Sequence, residues 1–452
     1  MAVTVGIDIG TTSVKAVAVD DDGRVLRRAR VVHEVRMPAP GVFEHDPDLA
    51  WRAGVLAAFE EVRQGLDVVA VNVAAMVPSL CAVDADGRAL TPGLLYGDAR
   101  GGAPSGANPS ESGELLGFLR WCAAEAPDAV GFWPAQAVAN HALCGVGAID
   151  SVTAMTTLPL FDFTGWDPAV CAEVGVRPEQ LPAIVTGTTP AGETADGVVV
   201  GGGTIDAFGE QLVAGADHAG DVFVVLGTTL VLWAVVPDWV EVPGLWTVPH
   251  TAPGLTLVGG ASNAGGLFVN WARQLAGDPD DAEVAAANEP LPWWEPYVRG
   301  ERTPLHDPHR RAVLHDLAVG MGPGHVVRAA YEASGHVLRH HLDLAGLLDG
   351  SGTTGQRAQR LVLTGGGVRV PMWPQALADV TGLPADVVAV PEGGAVGAAY
   401  LARAAAGLEP DASGASRWAS TDRRVEPDPA VRDAVLARYA SFRTRAGTVD
   451  PS

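Results

Sequence analysis

The chain has 452 residues, of which 48% are hydrophobic and 18% charged, so it can bury the cores of two domains and is not an intrinsically disordered protein. A formal net charge of −23 argues against nucleic acid or an anionic membrane as a partner, because both would repel so negative a protein. This charge does not exclude a nucleotide, whose phosphates need only a few local amides, hydroxyls and a cation.

Neither a secretory leader nor a membrane span is predicted. The N-terminus lacks the basic and apolar layout of a signal peptide, and the longest apolar stretch, 222–236, is short and interrupted by Gly227. The cysteines lie far apart, without the spacing of a zinc site, as is typical of a reducing compartment; they are Cys81, Cys122, Cys144 and Cys171. The sequence therefore predicts a cytoplasmic protein, and it is compatible with a homodimer.

The first predicted elements are two strands joined by a tight turn. Residues 3–9 form a β-branched, apolar run, Gly10 allows the chain to turn, and a second strand follows. The turn offers the hydroxyl and amide groups of Thr11 and Thr12 to a phosphate. Asp8 stands two residues before the turn, where its carboxylate would approach a Mg²⁺ ion bound to that phosphate. The alternative is an ordinary hairpin whose first strand carries an aspartate near its end.

Lys15 follows the same turn and is the only lysine among the 30 basic residues of the chain. A GC-rich coding bias is the simpler explanation for the scarcity of lysine. The place of the one lysine that remains, just after a phosphate-compatible turn, is a weak indication of a role there.

The next segments alternate strands with helices, as in an α/β protein. A helix is predicted over 48–64, and a strand over 68–75 leads into the segment Met76-Val77-Pro78. A hairpin then ends at Tyr96, and the glycine- and serine-rich residues 101–113 predict a flexible loop.

Glycine runs at strand ends form a second kind of motif. Residues 201–203 follow a short strand and precede Asp206, and similar junctions occur at 259–266 and 362–367. Each leaves main-chain N–H groups at a strand end, where a nucleotide can approach the backbone. One such turn is weak evidence, because most glycine turns serve only the fold. By spacing alone, Asp206 is either the N-cap of a helix or a catalytic base.

The first hairpin has a second copy in the chain. Residues 226–236 repeat the pattern of residues 9–19, with Gly227, Thr228 and Thr229 at the positions of the first Gly-Thr-Thr turn. Two lobes, each opening on a phosphate hairpin, would face one another across a nucleotide and sugar cleft. We therefore predict the two-lobed α/β fold of the actin-like ATPases, which is ribonuclease-H-like, with lobes over 1–215 and 216–452.

Taken together, the motifs resemble the FGGY carbohydrate kinase family, and most closely its xylulokinase-like members. The segments that carry the resemblance run from end to end of the chain: 6–15, 44–47, 96–100, 202–207, 226–229, 300–304, 365–367 and 392–399. Their order and spacing are specific, although no single segment is. The resemblance implies an ATP- and Mg²⁺-dependent kinase that transfers the γ-phosphate to a hydroxyl of a small ketose or polyol.

The resemblance also implies roles for single residues. Asp206 falls where the family places its catalytic base, and with Asp8 it would hold the Mg²⁺ ion. The nucleotide-binding positions are Gly10, Thr11, Thr12 and Lys15 in the first lobe, and Gly227, Thr228, Thr229, Gly266, Gly365, Gly366 and Gly367 in the second. The sugar-binding positions are Met76, Val77, Pro78, Tyr96 and Asp206.

The predicted sugar pocket departs from the family pattern. The segment Met76-Val77-Pro78 stands where a Gln-Met-His run is usual, so an imidazole that would bind a sugar hydroxyl is missing. Tyr96 replaces a tryptophan, and Asp316 replaces a glycine. The departure at Pro78 predicts a substrate other than D-xylulose. The alternative is that Tyr96 or a residue from a helix over 133–141 supplies the missing contact.

Two other classes of protein stay open on the sequence alone. An actin-like ATPase acting as a filament or chaperone switch would keep both hairpins but would need neither a base at Asp206 nor a sugar pocket. A catalytically silent sugar sensor is disfavoured by the intact Asp8, Asp206 and both Gly-Thr-Thr turns.

Overall fold

The computed structural model describes residues 2–101, 114–250, 254–353, 355–389 and 392–446, and these residues form two compact units. The first unit consists of the described residues of Met1–Val213 and Glu392–Trp418. The second consists of those of Ala214–Pro391 and Ala419–Ser452. All but one residue of the predicted loop over 101–113 lies outside the described residues.

The first unit is built on a seven-stranded sheet in the order β11-β12-β5-β1-β2-β3, with β13 also paired to β5. Smaller sheets flank it, in the orders β4-β7-β6-β8 and β10-β9. The strands are β1 Val3–Ile9, β2 Ser13–Val19, β3 Val25–Val32, β4 Glu44–His45, β5 Val68–Ala75, β6 Ser79–Val83, β7 Gly93–Leu95, β8 Gly131–Trp133, β9 Ala148–Asp150, β10 Ala183–Val185, β11 Gly192–Glu193, β12 Val199–Val200 and β13 Thr204–Ile205.

The second unit has a seven-stranded sheet of its own, in the order β16-β17-β15-β14-β20-β21-β22. Strands β18 and β19 form a separate two-stranded sheet in the same unit. The strands are β14 Asp221–Leu226, β15 Leu230–Val236, β16 Trp246–Pro249, β17 Thr256–Ser262, β18 Trp293–Glu295, β19 Val313–His315, β20 Arg360–Thr364, β21 Ala385–Val388 and β22 Thr421–Val425.

The internal repeat of the sequence is a repeat of structure. In the first unit β1 runs antiparallel to β2 and parallel to β5. In the second, β14 runs antiparallel to β15 and parallel to β20. The central strands are buried on both faces, which explains why they read as apolar runs without alternation. The predicted two-lobed α/β fold of the actin-like type is confirmed.

Helices complete both units, and they include helices within or overlapping the ranges 48–64 and 133–141, where helices were predicted. In the first unit they are α1 Gly54–Arg63, α2 Glu114–Glu125, α3 Ala135–Cys144, α4 Ser151–Met155, α5 Pro168–Val174, α6 Asp206–Ala214 and α11 Gly393–Ala405. In the second they are α7 Gly266–Leu275, α8 Asp281–Ala286, α9 Pro323–Leu344, α10 Met372–Thr381 and α12 Arg432–Ala446. A wider helical turn over Asp48–Ala53 precedes α1. No helix within the described ranges is long and apolar enough to cross a membrane.

The late helix α11 belongs to the first unit by packing, although it follows the second unit in the chain. A Cβ at Gly6 of β1 would lie 1.8 Å from the carbonyl oxygen of Ala395, and one at Gly397 would lie 1.9 Å from that of Gly209. Glycine on strand and helix therefore lets α11 approach β1 and α6 closely. The predicted lobes, 1–215 and 216–452, do not include this return of the chain. As a division of function between the lobes, they stay a prediction.

Candidate active site

The first Gly-Thr-Thr turn is tightly closed. The register of β1 and β2 pairs Ile9 with Val14, and the amide of Gly10 donates to the carbonyl oxygen of Ser13 at 3.1 Å. The second turn repeats this arrangement, since the amide of Gly227 donates to the carbonyl oxygen of Thr229 at 3.2 Å. Both turns therefore form with their own backbone, and their threonine side chains are left for other contacts.

The glycines that open the two turns have no structural reason to be glycine. Neither Gly10 nor Gly227 has a positive φ. A Cβ on either would come no closer than 3.4 Å to another protein atom, which is ordinary van der Waals contact. Since neither backbone conformation nor packing requires glycine there, the space in front of each turn fits a ligand that approaches the main chain.

Asp8 faces Lys15 across the hairpin. The two residues are paired in register, and the Lys15 ammonium lies 3.6 Å from Oδ2 of Asp8. Asp8 is only 8% exposed, and its Oδ1 has no hydrogen-bond partner within the described part of the chain. Burial raises the pKa of Asp8, and the nearby ammonium opposes that rise.

Asp206 opens helix α6 at the end of β13. That strand runs parallel to β5, with Ile205 opposite Ala75, so the sheet fixes the position of the aspartate. Its Oδ1 accepts a hydrogen bond from the amide of Ala207 at 2.7 Å. Burial, and then the negative charge of Asp8, raise the pKa of Asp206 to about 6. This contact is with the next residue and not with the second or third amide of the helix, so the N-cap alternative and the role as a base both stay predictions.

Glu210 is a third carboxylate at this place, and sequence reasoning missed it. It lies four residues after Asp206 on α6, and this spacing brings two side chains to the same face of a helix. Burial, followed by the charges of Asp8 and Asp206, raises the pKa of Glu210 to about 8. The helical spacing was the available signal, but no resemblance pointed to it.

These residues suit a divalent cation. The negative charge of Asp8 raises the pKa values of Asp206 and Glu210, and Oδ1 of Asp8 is buried without a hydrogen-bond partner among the described residues. A hard cation with oxygen ligands would supply the positive charge that these carboxylates need. The charge of Asp8 raises the pKa of Asp206, and the joint binding of Mg²⁺ by these two residues stays a prediction.

His45 forms a hydrogen bond with the backbone of the first turn. The indole N–H of Trp51 donates to Nδ1 of His45 at 2.9 Å, so Nε2 carries the proton and donates to the carbonyl oxygen of Thr11 at 2.8 Å. The hydroxyls of Tyr96 and Thr11 share a hydrogen bond at 3.1 Å. Tyr96, predicted in the sugar pocket, thus also contacts the phosphate turn.

This arrangement predicts that acid loosens the turn. Burial lowers the pKa of His45 to about 4, so the folded protein favours the neutral ring. The resulting stabilisation is fully present above the ordinary histidine pKa of about 6.5 and is lost as the pH falls to about 4. Its size is about 3 kcal/mol.

We therefore expect the advantage of the wild type over His45→Gln in thermal midpoint to shrink as the pH is lowered from 7 to 4. Glutamine can offer a similar donor and acceptor but does not titrate. Calorimetry at each pH measures the difference. A difference that stays constant with pH would contradict the proposed hydrogen-bond chain.

The Tyr96–Arg100 motif is held by ion pairs. The Arg100 guanidinium binds Asp98 at 2.6 Å and Glu44 at 2.9 Å, and Asp98 also accepts from the amide of Phe43 at 2.7 Å. These contacts join the strand before helix α1 to the segment after β7, and they hold Tyr96 in place. The charged residues of the motif are therefore engaged in structure.

The predicted sugar-binding segment follows β5. Met76 is buried, whereas Val77 and Pro78 are partly exposed. Val77 and Pro78 border an apolar cavity of about 30 Å³, whose other lining residues include Leu80, Leu119, Phe132, Leu160 and Trp166. No imidazole lines this cavity. A cavity of this size holds about one or two water molecules and not a sugar, so the sugar-binding role of Met76, Val77 and Pro78, and the alternative contact from Tyr96 or the helix over 133–141, stay predictions.

In the second unit, Gly266 forms a backbone hydrogen bond with the Gly-Thr-Thr turn. Its amide donates to the carbonyl oxygen of Gly227 at 2.8 Å, and the amide of Leu267 donates to that of Thr228 at 3.0 Å. The buried Glu301 accepts from the Ser262 hydroxyl at 2.6 Å and holds the junction before α7. Gly266 is therefore placed beside the hairpin by packing, and its predicted contact with ribose stays a prediction.

The three glycines after β20 differ in whether the fold requires glycine at that position. Gly365 has a φ of 90°, and a Cβ on Gly367 would lie 2.5 Å from the Trp373 ring, so both are needed by the fold. Gly366 is exposed, and a Cβ there would meet nothing within 4 Å. Of the three, Gly366 is the position best suited to approach a nucleotide.

Comparison with known proteins agrees with this geometry. Residues 3–103 match the N-terminal domain of the FGGY family of carbohydrate kinases, and residues 222–406 match its C-terminal domain. The xylulose kinase of Escherichia coli is 27% identical over 90% of this chain and 90% of its own. A glycerol kinase of Rhodospirillum centenum is 29% identical over 98% of both chains.

Solved structures share the fold over nearly the whole chain. A xyloylose kinase from Brucella ovis superposes with a TM-score of 0.83 at 23% identity, covering 97% of this chain and 98% of the other. A gluconate kinase from Lactobacillus acidophilus gives a TM-score of 0.82 at 22% identity, covering 97% of each chain. The two units, their repeated hairpins and the acidic residues beside the first hairpin define a phosphotransferase of the sugar-kinase class. The chain belongs to the FGGY family of carbohydrate kinases.

Proposed function

We propose that this ATP-dependent sugar kinase transfers the γ-phosphate to a hydroxyl of a small ketose or polyol, with Asp206 as the general base. The observation that carries the proposal is the position of Asp206. It is held at a strand end, beside Asp8, with its pKa raised to about 6. A base whose pKa lies near the working pH is both ionised and strong enough to accept a proton.

The residues of the chain would act together in one transfer. The carboxylate of Asp206 accepts the proton of the substrate hydroxyl as its oxygen bonds to the γ-phosphorus and the bond to ADP breaks. Lys15 and the first Gly-Thr-Thr turn would neutralise and orient phosphate oxygens. The turn at Gly227 would hold phosphates with its own amides.

A Mg²⁺ ion, held by Asp8 and Asp206, would supply positive charge to the phosphate oxygens. The reaction would take place in the cytoplasm, because four free cysteines are typical of a reducing compartment. The switch and sensor alternatives are not favoured, because both matching family models describe carbohydrate kinases.

Lys15 offers a direct probe of nucleotide binding. Because it is the only lysine, reductive methylation with ¹³C-formaldehyde labels one side chain and the α-amino group and keeps the positive charge. We expect ATP to shift the Lys15 methyl signal in the NMR spectrum, because a phosphate would approach an ammonium that is partly exposed. Adenosine, which has no phosphate, is the matched control. An equal response to both would contradict the proposed phosphate contact.

The substrate is proposed to differ from D-xylulose. The segment Met76-Val77-Pro78 supplies no imidazole, and the cavity beside it is apolar. A pocket that hydrogen-bonds a hydroxyl rejects analogues lacking it strongly, whereas an apolar one discriminates only about 10- to 200-fold per methylene. We therefore propose a deoxy-ketose, another pentulose epimer or a polyol.

Coupled ADP release tests both the activity and this choice. With ATP and Mg²⁺, the assay is run across pentuloses, hexuloses, deoxy-ketoses, polyols and aldonates. We expect substrate-dependent ADP release, with kcat/KM for D-xylulose below that of the best compound. If D-xylulose leads the panel, the interpretation of Pro78 is wrong. If no compound stimulates ADP release, the proposed reaction is wrong.

A further inference from the structure

We propose that Gln136 is a positioning residue of the kinase, which holds Asp206 in place through the strand before it. The inference rests on the proposed function for the role of Asp206 as the base. It goes further by giving one buried side chain of helix α3, which touches neither the base nor the phosphate turns, a part in the reaction.

The first support is the pair of hydrogen bonds that Gln136 makes. Its side chain is fully buried, and its amide nitrogen donates to the carbonyl oxygens of Ala75 and Thr204, each at 3.2 Å. Ala75 is the last residue of β5, and Thr204 stands two residues before Asp206. One side chain therefore joins the end of β5 to the strand that leads to the proposed base.

The second support is the shortness of that strand. β13 consists of two residues, and its register pairs Thr204 with Ala74 and Ile205 with Ala75. Strands are held by the sum of their cross-strand pairs, so a two-residue strand is held weakly by pairing alone. The amide of Gln136 adds a second link between the same two strands at this point.

The third support is the use of buried amides along the glycine run before β13. Oδ1 of Asn72 accepts a hydrogen bond from the amide of Gly203 at 2.8 Å. Nδ2 of Asn140 donates to the carbonyl oxygen of Gly202 at 3.1 Å. Both asparagines are at most 1% exposed. Buried polar networks of this kind make the backbone rigid, and Gln136 binds the last position of the segment.

The position of the base decides the rate, because the base must lie within hydrogen-bond reach of the attacking hydroxyl. A displacement of about 1 Å can cost roughly 100-fold in rate. The predicted sugar-binding segment, 76–78, begins directly after Ala75. Gln136 therefore sets the distance between this segment and Asp206, and without its amide β13 could move relative to β5.

Steady-state kinetics of Gln136→Met test the inference. Methionine is similar in size and flexible, but it has no donor. We expect kcat with the best substrate of the panel to fall by roughly 100-fold. KM for ATP should stay within twofold of the wild type, because the two carbonyls that Gln136 binds lie outside both Gly-Thr-Thr turns. Gln136→Asn keeps a donor but withdraws it by one methylene, so its kcat should lie between the two.

Gln180→Met is the matched control. Gln180 is also buried in the first unit, and its amide nitrogen donates to the carbonyl oxygen of Ala129 at 2.8 Å. Its loss removes a comparable buried donor away from β13, so kcat should stay within twofold of the wild type. Circular dichroism and thermal unfolding check that each variant is folded, and Gln136→Asn takes the place of Gln136→Met if the latter does not fold.

Hydrogen exchange measured by mass spectrometry follows the same segment without turnover. We expect Gln136→Met to speed exchange at least tenfold across 203–207, and Gln180→Met to leave it unchanged. A folded Gln136 variant with kcat within twofold of the wild type would overturn the proposal, as would an equal fall of kcat in Gln180→Met. If the wild type releases no ADP with any compound, the proposed reaction is wrong. Exchange then decides the inference: faster exchange confined to the Gln136 variant would support the positioning of Asp206, and unchanged exchange would overturn it.

Discussion

Asp206→Asn is expected to lower kcat by roughly 10²- to 10⁴-fold, the usual contribution of a positioned general base. The amide has the shape of the carboxylate, and its oxygen can still accept the hydrogen bond from the amide of Ala207, so the start of α6 should be kept. It cannot accept the proton of the attacking hydroxyl. ATP affinity, measured by calorimetry, should therefore change much less than kcat.

The pH profile separates loss of a base from a general loss of structure. In the wild type, kcat/KM should fall on the acid side, because the base must be ionised to act; burial raises the pKa of Asp206, and a bound Mg²⁺ ion would lower it, so this limb should lie below pH 6. In Asp206→Asn that acid limb should disappear along with most of the rate. Glu193→Gln, which removes an exposed carboxylate from β11 of the same unit, serves as a matched control and should keep both rate and profile. Near-normal turnover of the Asp206 variant would rule out its assignment as the base.

The parts of the fold that the sequence predicts are those that depend on local chemistry. The β1–β2 and β14–β15 hairpins were predicted because apolar runs on either side of Gly-Thr-Thr have few other structures available. The glycine run before Asp206 drew attention to this residue, but spacing alone left it open as an N-cap or a base, and only the family resemblance implied the role of base. In each case the residues concerned are close together in the chain.

What the sequence left open depends on contacts between distant segments. β3 pairs with β2 although its alternating burial was not singled out. Helix α11 joins the first unit after a long excursion, because Gly6 and Gly397 allow a close approach. Asp316 is tolerated where glycine is usual because its side chain accepts a hydrogen bond from the Trp293 indole at 2.8 Å, while its φ is 57°. None of these partners could be chosen from local pattern.

Gly227→Val is expected to weaken ATP binding by far more than it weakens substrate binding. The wild-type residue has an ordinary φ, and a Cβ there would lie 3.4 Å from the nearest protein atom, the carbonyl oxygen of Thr229. The protein itself therefore leaves room for a Cβ at this position. The valine methyl groups would instead fill the space in front of the turn and keep a phosphate away from the backbone amides.

Calorimetric titration with ATP and with the best substrate of the panel measures the two affinities, and thermal unfolding reports whether the variant is folded. Gly165→Val is the matched control. Gly165 also has an ordinary φ and would place its Cβ in open space, but it lies in a turn of the first unit outside both hairpins. It should leave ATP affinity unchanged. If the Gly227→Val protein is folded and binds ATP as the wild type does, then this turn does not bind a phosphate. The proposed role of the second hairpin would then be wrong.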